Sequence, residues 1–215
     1  MSTEYHKIHS IWKRTPNGTM IPWDWSRPEL GYLADLEWEW TEKVDGTNIR
    51  IGLDTDRTYF VGGRTDAAQI PATLLAAIDA LNLRDLLPAA FHDGPVTLYG
   101  EGYGAKIQKG GGNYRPDQGF VLFDVKVGPW WLLPADVADV ATTLGLDIAP
   151  VVGRGSLRDA IDRVSGGLRS RWGDFEAEGI VCRPVVPLSD RRGNRLICKV
   201  KGIDFAKMAR DGVKW

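Results

Sequence analysis

Short β-type runs constrain this chain more than any other feature. They fall at residues 47–53, 58–62, 95–100, 119–127, 179–186 and 195–200, each bounded by Gly, Asp-Gly or Pro. Helical periodicity is clear only at 71–87, "PATLLAAIDALNLRDLL", where Pro71 can take the first turn, and at 134–145, "PADVADVATTLG", which ends on Gly145. A third helix is expected over 156–165, capped by Ser156. Strands outnumber helices and do not alternate with them. The expected class is therefore α+β, with mainly antiparallel β-sheets flanked by helices, and a doubly wound parallel sheet is excluded.

A chain of 215 residues can bury a sizeable core, and its 43% hydrophobic and 26% charged residues are those of a globular protein. No apolar run approaches the roughly 20 residues of a membrane span, because prolines cut "WWLLP" and "LLPAAF". The start, "MSTEYHKIHS", is polar and lacks a signal-type apolar core, so a cytoplasmic protein with no membrane partner is expected. Cys182 and Cys198 lie in β-type runs, and no Cys or His pair has zinc-ligand spacing; both are expected to be buried thiols. The glycines of "GEGYGAK" at 100–106 fit neither a dinucleotide fingerprint nor a Walker loop, so any bound nucleotide needs another phosphate-holding device.

Charge is spread unevenly. The formal net charge is −1, yet residues 190–215 hold eight Lys or Arg against three Asp. Such a basic stretch is either a solvated surface or a partner for phosphate. Tryptophans 12, 23, 25, 38 and 40 crowd the N-terminal region; "EWEW" alternates at strand period, and one packed face is expected.

Several charged residues sit inside or at the ends of strands. Lys43 precedes the Asp45-Gly46 pair in "TEKVDGTNIRI". Taken alone, that pair reads as a hairpin turn with a solvated lysine beside it. Arg64 lies in "GGRTD", Glu101 closes "VTLYGE", Glu178 opens "EGIVCRP", and Lys199 and Lys201 alternate in "ICKVKG". Period two places Lys199 and Lys201 on one strand face with Cys198 and Val200 on the other. Two cations on one face are either an edge guarding against aggregation or a site for an anion.

"EKVDGTN", "GGRTD", "LYGEGYG", "FVLFDV", "EGIVCRP" and "KVK" follow one another in the order and approximate separation of the six motifs of the covalent nucleotidyltransferases. That superfamily contains the polynucleotide ligases and mRNA capping enzymes. With the opening "HKIHSIWKR", the set most resembles the RNA ligase 2 branch, and the resemblance spans residues 5–201. It implies the ligase and capping-enzyme adenylyltransferase fold, of ATP-grasp-like type, and an ATP-dependent RNA ligase that joins 5′-phosphate and 3′-hydroxyl ends.

The resemblance also implies roles. Lys43 would be the nucleophile that carries AMP covalently; its attack on the α-phosphorus needs a neutral amine, which desolvation and neighbouring cations favour. Lys199 and Lys201 would supply that positive field and bind the α-phosphate. Glu101 would contact the ribose, and Glu178 would hold a divalent ion or its waters, with Glu101 as the second metal candidate. Carboxylate, phosphate and water oxygens suit Mg2+ or Mn2+. Arg64 would meet the ribose or the incoming 5′-phosphate, Phe123 would stack on adenine, and Glu42 and Asn48 would contact the adenine edge and the sugar or phosphate. Under period two, Phe123 shares a face with Val121 and Val125.

Two departures bear on substrate. Asp45 stands where RNA ligase 2 relatives usually carry histidine and DNA ligases aspartate. After "KVKG" only "IDFAKMARDGVKW" follows, so residues 1–215 are expected to be a single adenylation domain without a C-terminal OB-fold or helical domain. RNA or DNA 5′-phosphate ends are the expected partners, met by Lys106, Lys109, Arg115 and the basic tail, with a partner protein in place of the missing domain. A minimal DNA ligase and a non-catalytic nucleotide or RNA-end binding module stand as alternatives, and GTP-dependent capping as a weaker third.

Overall fold

The computed structural model describes residues 4–215. They form two compact units, one containing residues 45–149 with residues 4–6, the other Lys7–Val44 with Pro150–Trp215. The second is interrupted in sequence by the first, so we call them the split unit and the inserted unit.

The split unit opens with β1 (His9–Ser10), the hairpin of β2 (Trp12–Arg14) and β3 (Met20–Trp25), α1 (Pro28–Tyr32) and β4 (Trp38–Glu42). The inserted unit follows with β5 (Thr47–Leu53), β6 (Tyr59–Gly62), α2 (Ala72–Asp79) and α3 (Leu83–Ala90). It continues through β7 (Val96–Gly104), β8 (Gln118–Val127), β9 (Trp130–Trp131), α4 (Pro134–Leu144) and β10 (Asp147–Ile148). The chain then returns to the split unit as β11 (Val151–Gly155), α5 (Leu157–Ser165), β12 (Gly179–Pro184), β13 (Cys198–Lys201) and α6 (Gly202–Arg210).

Among the described residues the split unit builds a five-stranded sheet in the order β1-β13-β12-β4-β11, antiparallel except for the β1–β13 pair. Its buried face shows why: Trp38 and Trp40 of β4, Ile180 and Cys182 of β12, and Cys198 and Val200 of β13 pack with Leu157, Ile161 and Val164 of α5 and Phe205 and Met208 of α6. Cys182 and Cys198 face each other across β12 and β13, free and fully buried, as expected of thiols in a core. Burial drives the Cys182 thiol well above its ordinary range. Trp38 and Trp40 do share the packed face, whereas Trp23 is 43% exposed. α5 begins on the expected Ser156, which closes a capping box with Asp159.

The inserted unit's six-stranded sheet runs β10-β8-β7-β5-β6, with β9 on β8. Ile49, Ile51, Leu98, Phe120, Leu122 and Val125 meet Leu74 and Ile78 of α2, Leu83 and Leu87 of α3 and Val137 and Ala141 of α4. The helix expected over 71–87 is two helices: the first ends at Asp79, and Asn82, in a left-handed conformation (φ 53°) that a continuous helix cannot contain, caps the start of the second. Asparagine tolerates that region better than other non-glycine residues. α4 ends as expected on Gly145, at φ 64°. The β7–β8 ladder slips between Tyr99 and Gly100, which pair with Asp124 and Leu122, so Phe123 is the extra residue of a bulge. The bulge resets the alternation. Val125 lies in the helix-covered core, and Phe123, contrary to the period-two expectation, does not share its face.

Candidate active site

β4 and β5 belong to different sheets, so Asp45-Gly46 is not a hairpin turn and Lys43 is not a hairpin lysine. Gly46 is required by close approach: a Cβ there would lie 2.3 Å from the Gly102 carbonyl oxygen on β7.

Lys43 follows the last residue of β4, and its backbone N–H donates to the Gly179 carbonyl at 2.9 Å. Gly179 opens β12 at φ 153°, and a Cβ on it would sit 2.1 Å from the Val200 carbonyl oxygen. Only glycine fits between its neighbours. Gly179 is also the register partner of Lys201 on β13, which places the bare glycine in the row between Lys43 and Lys201. Both lysines reach the residue just before it: Lys43 Nζ lies 2.5 Å from Glu178 Oε2, and Lys201 Nζ lies 2.7 Å from Glu178 Oε1. The three side chains are half-buried, at 23%, 27% and 15% exposure for Lys43, Lys201 and Glu178. One carboxylate is thus shared by two ammonium groups, and the trio carries a net positive charge in a partly desolvated setting.

Lys199 lies on the same face of β13 as Lys201, with Cys198 and Val200 buried behind them, as strand periodicity requires. Glu42 points the other way. It has the parity of Trp38 and Trp40, is 2% exposed, and its two oxygens accept from Ser170 Oγ (2.6 Å) and the Arg171 backbone N–H (2.7 Å). Its carboxylate therefore ties the segment before Glu178 to the strand that ends at the nucleophile candidate. No sequence signal marked Ser170 or Arg171 as its partners.

The inserted unit holds the remaining candidates. Glu101 lies mid-strand rather than at a strand end, since β7 runs to Gly104, and its register partners are Asn48 on β5 and Val121 on β8. Arg64 is exposed on the loop after β6. That loop is held by Arg50, which the sequence reading overlooked: only 2% exposed, it donates from Nε to the Gly63 carbonyl at 2.6 Å and from Nη2 to Asp66 at 2.8 Å. The clue was a lone arginine between Ile49 and Ile51. Phe123, half-buried at the bulge, meets the Tyr5 ring edge-on at 5.2 Å between centroids. Tyr5 also contacts Tyr99 and Trp131 and donates its hydroxyl to the fully buried Asp124 at 2.8 Å. Of the loop cations, Arg115 is paired with Asp117, which with its hydrogen bonds raises the guanidinium above its ordinary range, while Lys106 and Lys109 are exposed.

Among the described residues no three His, Cys, Asp or Glu side chains converge as a metal cage. The oxygen donors present, Glu178 foremost, fit a hard divalent ion that draws most of its shell from phosphate and water rather than from protein.

The RNA ligase family matches residues 36–201, which takes in Glu42, Lys43, Glu101, Glu178, Lys199 and Lys201. The chain belongs to the RNA ligase family. Solved structures agree on the fold. Naegleria gruberi RNA ligase with PPi superimposes with a TM-score of 0.67 at 18% identity, covering 86% of this chain and 55% of that one. A lysine-to-alanine mutant of the same ligase with ATP and Mn gives a TM-score of 0.67 at 18% identity, covering 86% and 54%. A glutamate-to-alanine mutant with AMP and Mn gives 0.67 at 17%, covering 86% and 55%. The chain therefore spans about half the length of those structures. A comparison with curated proteins finds no match. Among the described residues of this family member, no helix is long and apolar enough to cross a membrane.

Proposed function

We propose that this chain is the adenylyltransferase part of an ATP-dependent RNA ligase that seals 5′-phosphate to 3′-hydroxyl ends. The observation that carries the reading is the Lys43–Glu178–Lys201 trio in a chain of the RNA ligase family. The ATP, AMP, PPi and Mn of the Naegleria gruberi structures support nucleotide and divalent metal as ligands of this fold.

Lys43 must lose a proton before its lone pair can attack, and Glu178 is the group in contact with that amine. Attack on the α-phosphorus of ATP forms an N–P bond and breaks the bond to the β-phosphate oxygen, releasing pyrophosphate. A 5′-phosphate oxygen of the nucleic acid then displaces the lysine, taking AMP, and the amine regains a proton. Finally the 3′-hydroxyl attacks the activated 5′-phosphorus, a phosphodiester forms and AMP leaves. Lys201 and Lys199 stabilise charge on the α-phosphate throughout. Glu42 acts indirectly, by holding the 170–171 segment that leads to Glu178. In the inserted unit Glu101 is assigned to the ribose, Asn48 to the sugar or phosphate, Phe123 to the adenine face and Arg64 to the ribose or the incoming 5′-phosphate. A divalent ion, Mg2+ or Mn2+, held through Glu178, would neutralise phosphate charge and assist the departing pyrophosphate.

The test is to charge the protein with α-labelled ATP and magnesium, then chase the adduct with 5′-phosphorylated nicks of RNA, DNA and mixed strands. Label on the protein that moves to RNA ends supports the proposal. Equal sealing of a DNA nick makes the chain a general polynucleotide ligase. ATP binding without an adduct makes it a nucleotide-binding module.

A further inference from the structure

The connection between β12 and β13 is organised around one carboxylate. Asp190 is the sole acidic residue between Val185 and Cys198, a stretch that also contains Arg191, Arg192 and Arg195. Its Oδ1 accepts from the backbone N–H groups of Arg192 and Asn194, both at 2.8 Å. Its Oδ2 accepts from Asn194 Nδ2 at 3.0 Å and from Arg27 Nη2 at 2.7 Å. The backbone closes on itself as well: Gly193 N–H donates to Asp190 O (2.9 Å), Asp190 N–H donates to Asn194 O (2.8 Å), and Ser189 bridges Arg195. With Gly193 at φ 78°, this is the three-residue hairpin loop in which a type I turn is followed by a left-handed glycine. Arg191 and Arg192 take the two corner positions of that turn. Both are exposed, and neither has an ion-pair partner among the described residues.

The arrangement separates the charges by function. Asp190 is consumed by the turn and by Arg27, and hydrogen bonds from Asn194 foremost hold its carboxyl down to about 2. The two corner guanidinium groups are left facing water on a backbone that is already ordered, so little further entropy is lost when they engage a ligand. Planar guanidinium forks match pairs of phosphate oxygens better than ammonium groups do. Lys201 lies nine positions after Arg192, a reach of no more than about 30 Å. At roughly 3.4 Å per nucleotide of one strand, fewer than ten nucleotides would span it.

We propose that the 189–195 turn is a docking site for the nucleic-acid backbone, with Arg191 and Arg192 gripping phosphodiester oxygens of the strand whose end is presented to Lys43. The proposal rests on the ligase reading above, since that reading supplies the polyanion. The turn reads no bases, because its contacts go to the phosphates.

The experiment compares the full chain with R191A/R192A and with R191K/R192K, measuring binding of a nicked, 5′-phosphorylated RNA duplex across a salt series and, separately, lysine-AMP formation from ATP. Each phosphate contact contributes about 0.7 to 0.9 to the slope of log affinity against log salt. The alanine pair is expected to flatten that slope by about 1.5 and to weaken binding about tenfold at low salt, with adduct formation unchanged. The lysine pair should keep the slope and recover part of the affinity. RNA affinity and slope unchanged in R191A/R192A overturn the proposal, as does binding of poly-glutamate as tight as that of RNA. An adduct absent from all three proteins, with the slope difference intact, retires the ligase reading and leaves the backbone contact standing.

Discussion

The two sheets treat charge in opposite ways. In the split unit the site is ionic: Glu178 sits between Lys43 and Lys201, with Lys199 on the same face, and none of the three groups in contact is fully buried. In the inserted unit the candidates on the sheet are a carboxylate mid-strand, an amide and an aromatic ring, with Arg64 on a loop, and the buried ionisable groups have local partners, Asp124 Oδ2 the Tyr5 hydroxyl and Arg50 a carbonyl and Asp66. The first arrangement suits covalent chemistry, which needs a mobile proton and a positive field. The second suits recognition, which needs fixed shape. Removing a group from the first should therefore change the rate of adduct formation, and removing one from the second should change the ATP concentration required.

The largest expected effect tests that division directly. Lys43→Ala should abolish the AMP adduct by intact-mass measurement, whereas Phe123→Ala should still form it but need about tenfold more ATP, the worth of roughly one base–aromatic stack. Loss of the adduct in Phe123→Ala at saturating ATP breaks the comparison. Next, Glu178→Gln should slow adduct formation at saturating ATP about a hundredfold, on the scale of other charge-stabilising groups. Glu101→Gln should act mainly on the ATP concentration giving half-maximal rate, and equal effects on maximal rate would erase the distinction.

Stability provides smaller contrasts. Trp38→Ala, at a position with no exposure, should cost about 3–5 kcal/mol in urea unfolding through the cavity it leaves in the split unit. Tyr5→Phe should cost about 1–3 kcal/mol, because the buried Asp124 carboxylate loses the Tyr5 hydroxyl as a donor. Smallest is Ser156→Ala, about 1 kcal/mol at neutral pH, since α5 has a side-chain cap whereas α2 has none. Hydrogen bonds from Ser156 hold the Asp159 carboxyl below its ordinary range. A depressed folded value means the stabilisation is complete above the unfolded value of about 3.9 and is lost as pH falls through the folded one. The gap between wild type and Ser156→Ala should accordingly narrow in acid, and a gap independent of pH would assign the cap to the hydroxyl alone.

Much of this was legible in the sequence because it is local. Period two put Lys199 and Lys201 on one face with Cys198 and Val200 behind, Ser156 announced the start of α5, and Gly145 announced the end of α4. The misreadings came where one residue overrode the pattern. Asn82 broke a run that is helical on either side, and the bulge at Phe123 reversed the parity of the residues beyond it. α6 went unread because "GIDFAKMAR" was weighed only as what remains after the last motif.

By itself, the sequence determined that Lys199 and Lys201 share one face of their strand, and where α4 ends and α5 begins, since alternation and capping depend on neighbours a few residues away. Only the tertiary structure decided that Lys43 meets Glu178 across 135 residues, that β4 and β5 enter different sheets, and that Glu42 turns inward to Ser170 and Arg171. The physical reason is that a strand's periodicity defines its faces but not its partner. Partners are chosen by the burial of whole faces, and that choice draws on segments far apart in the chain.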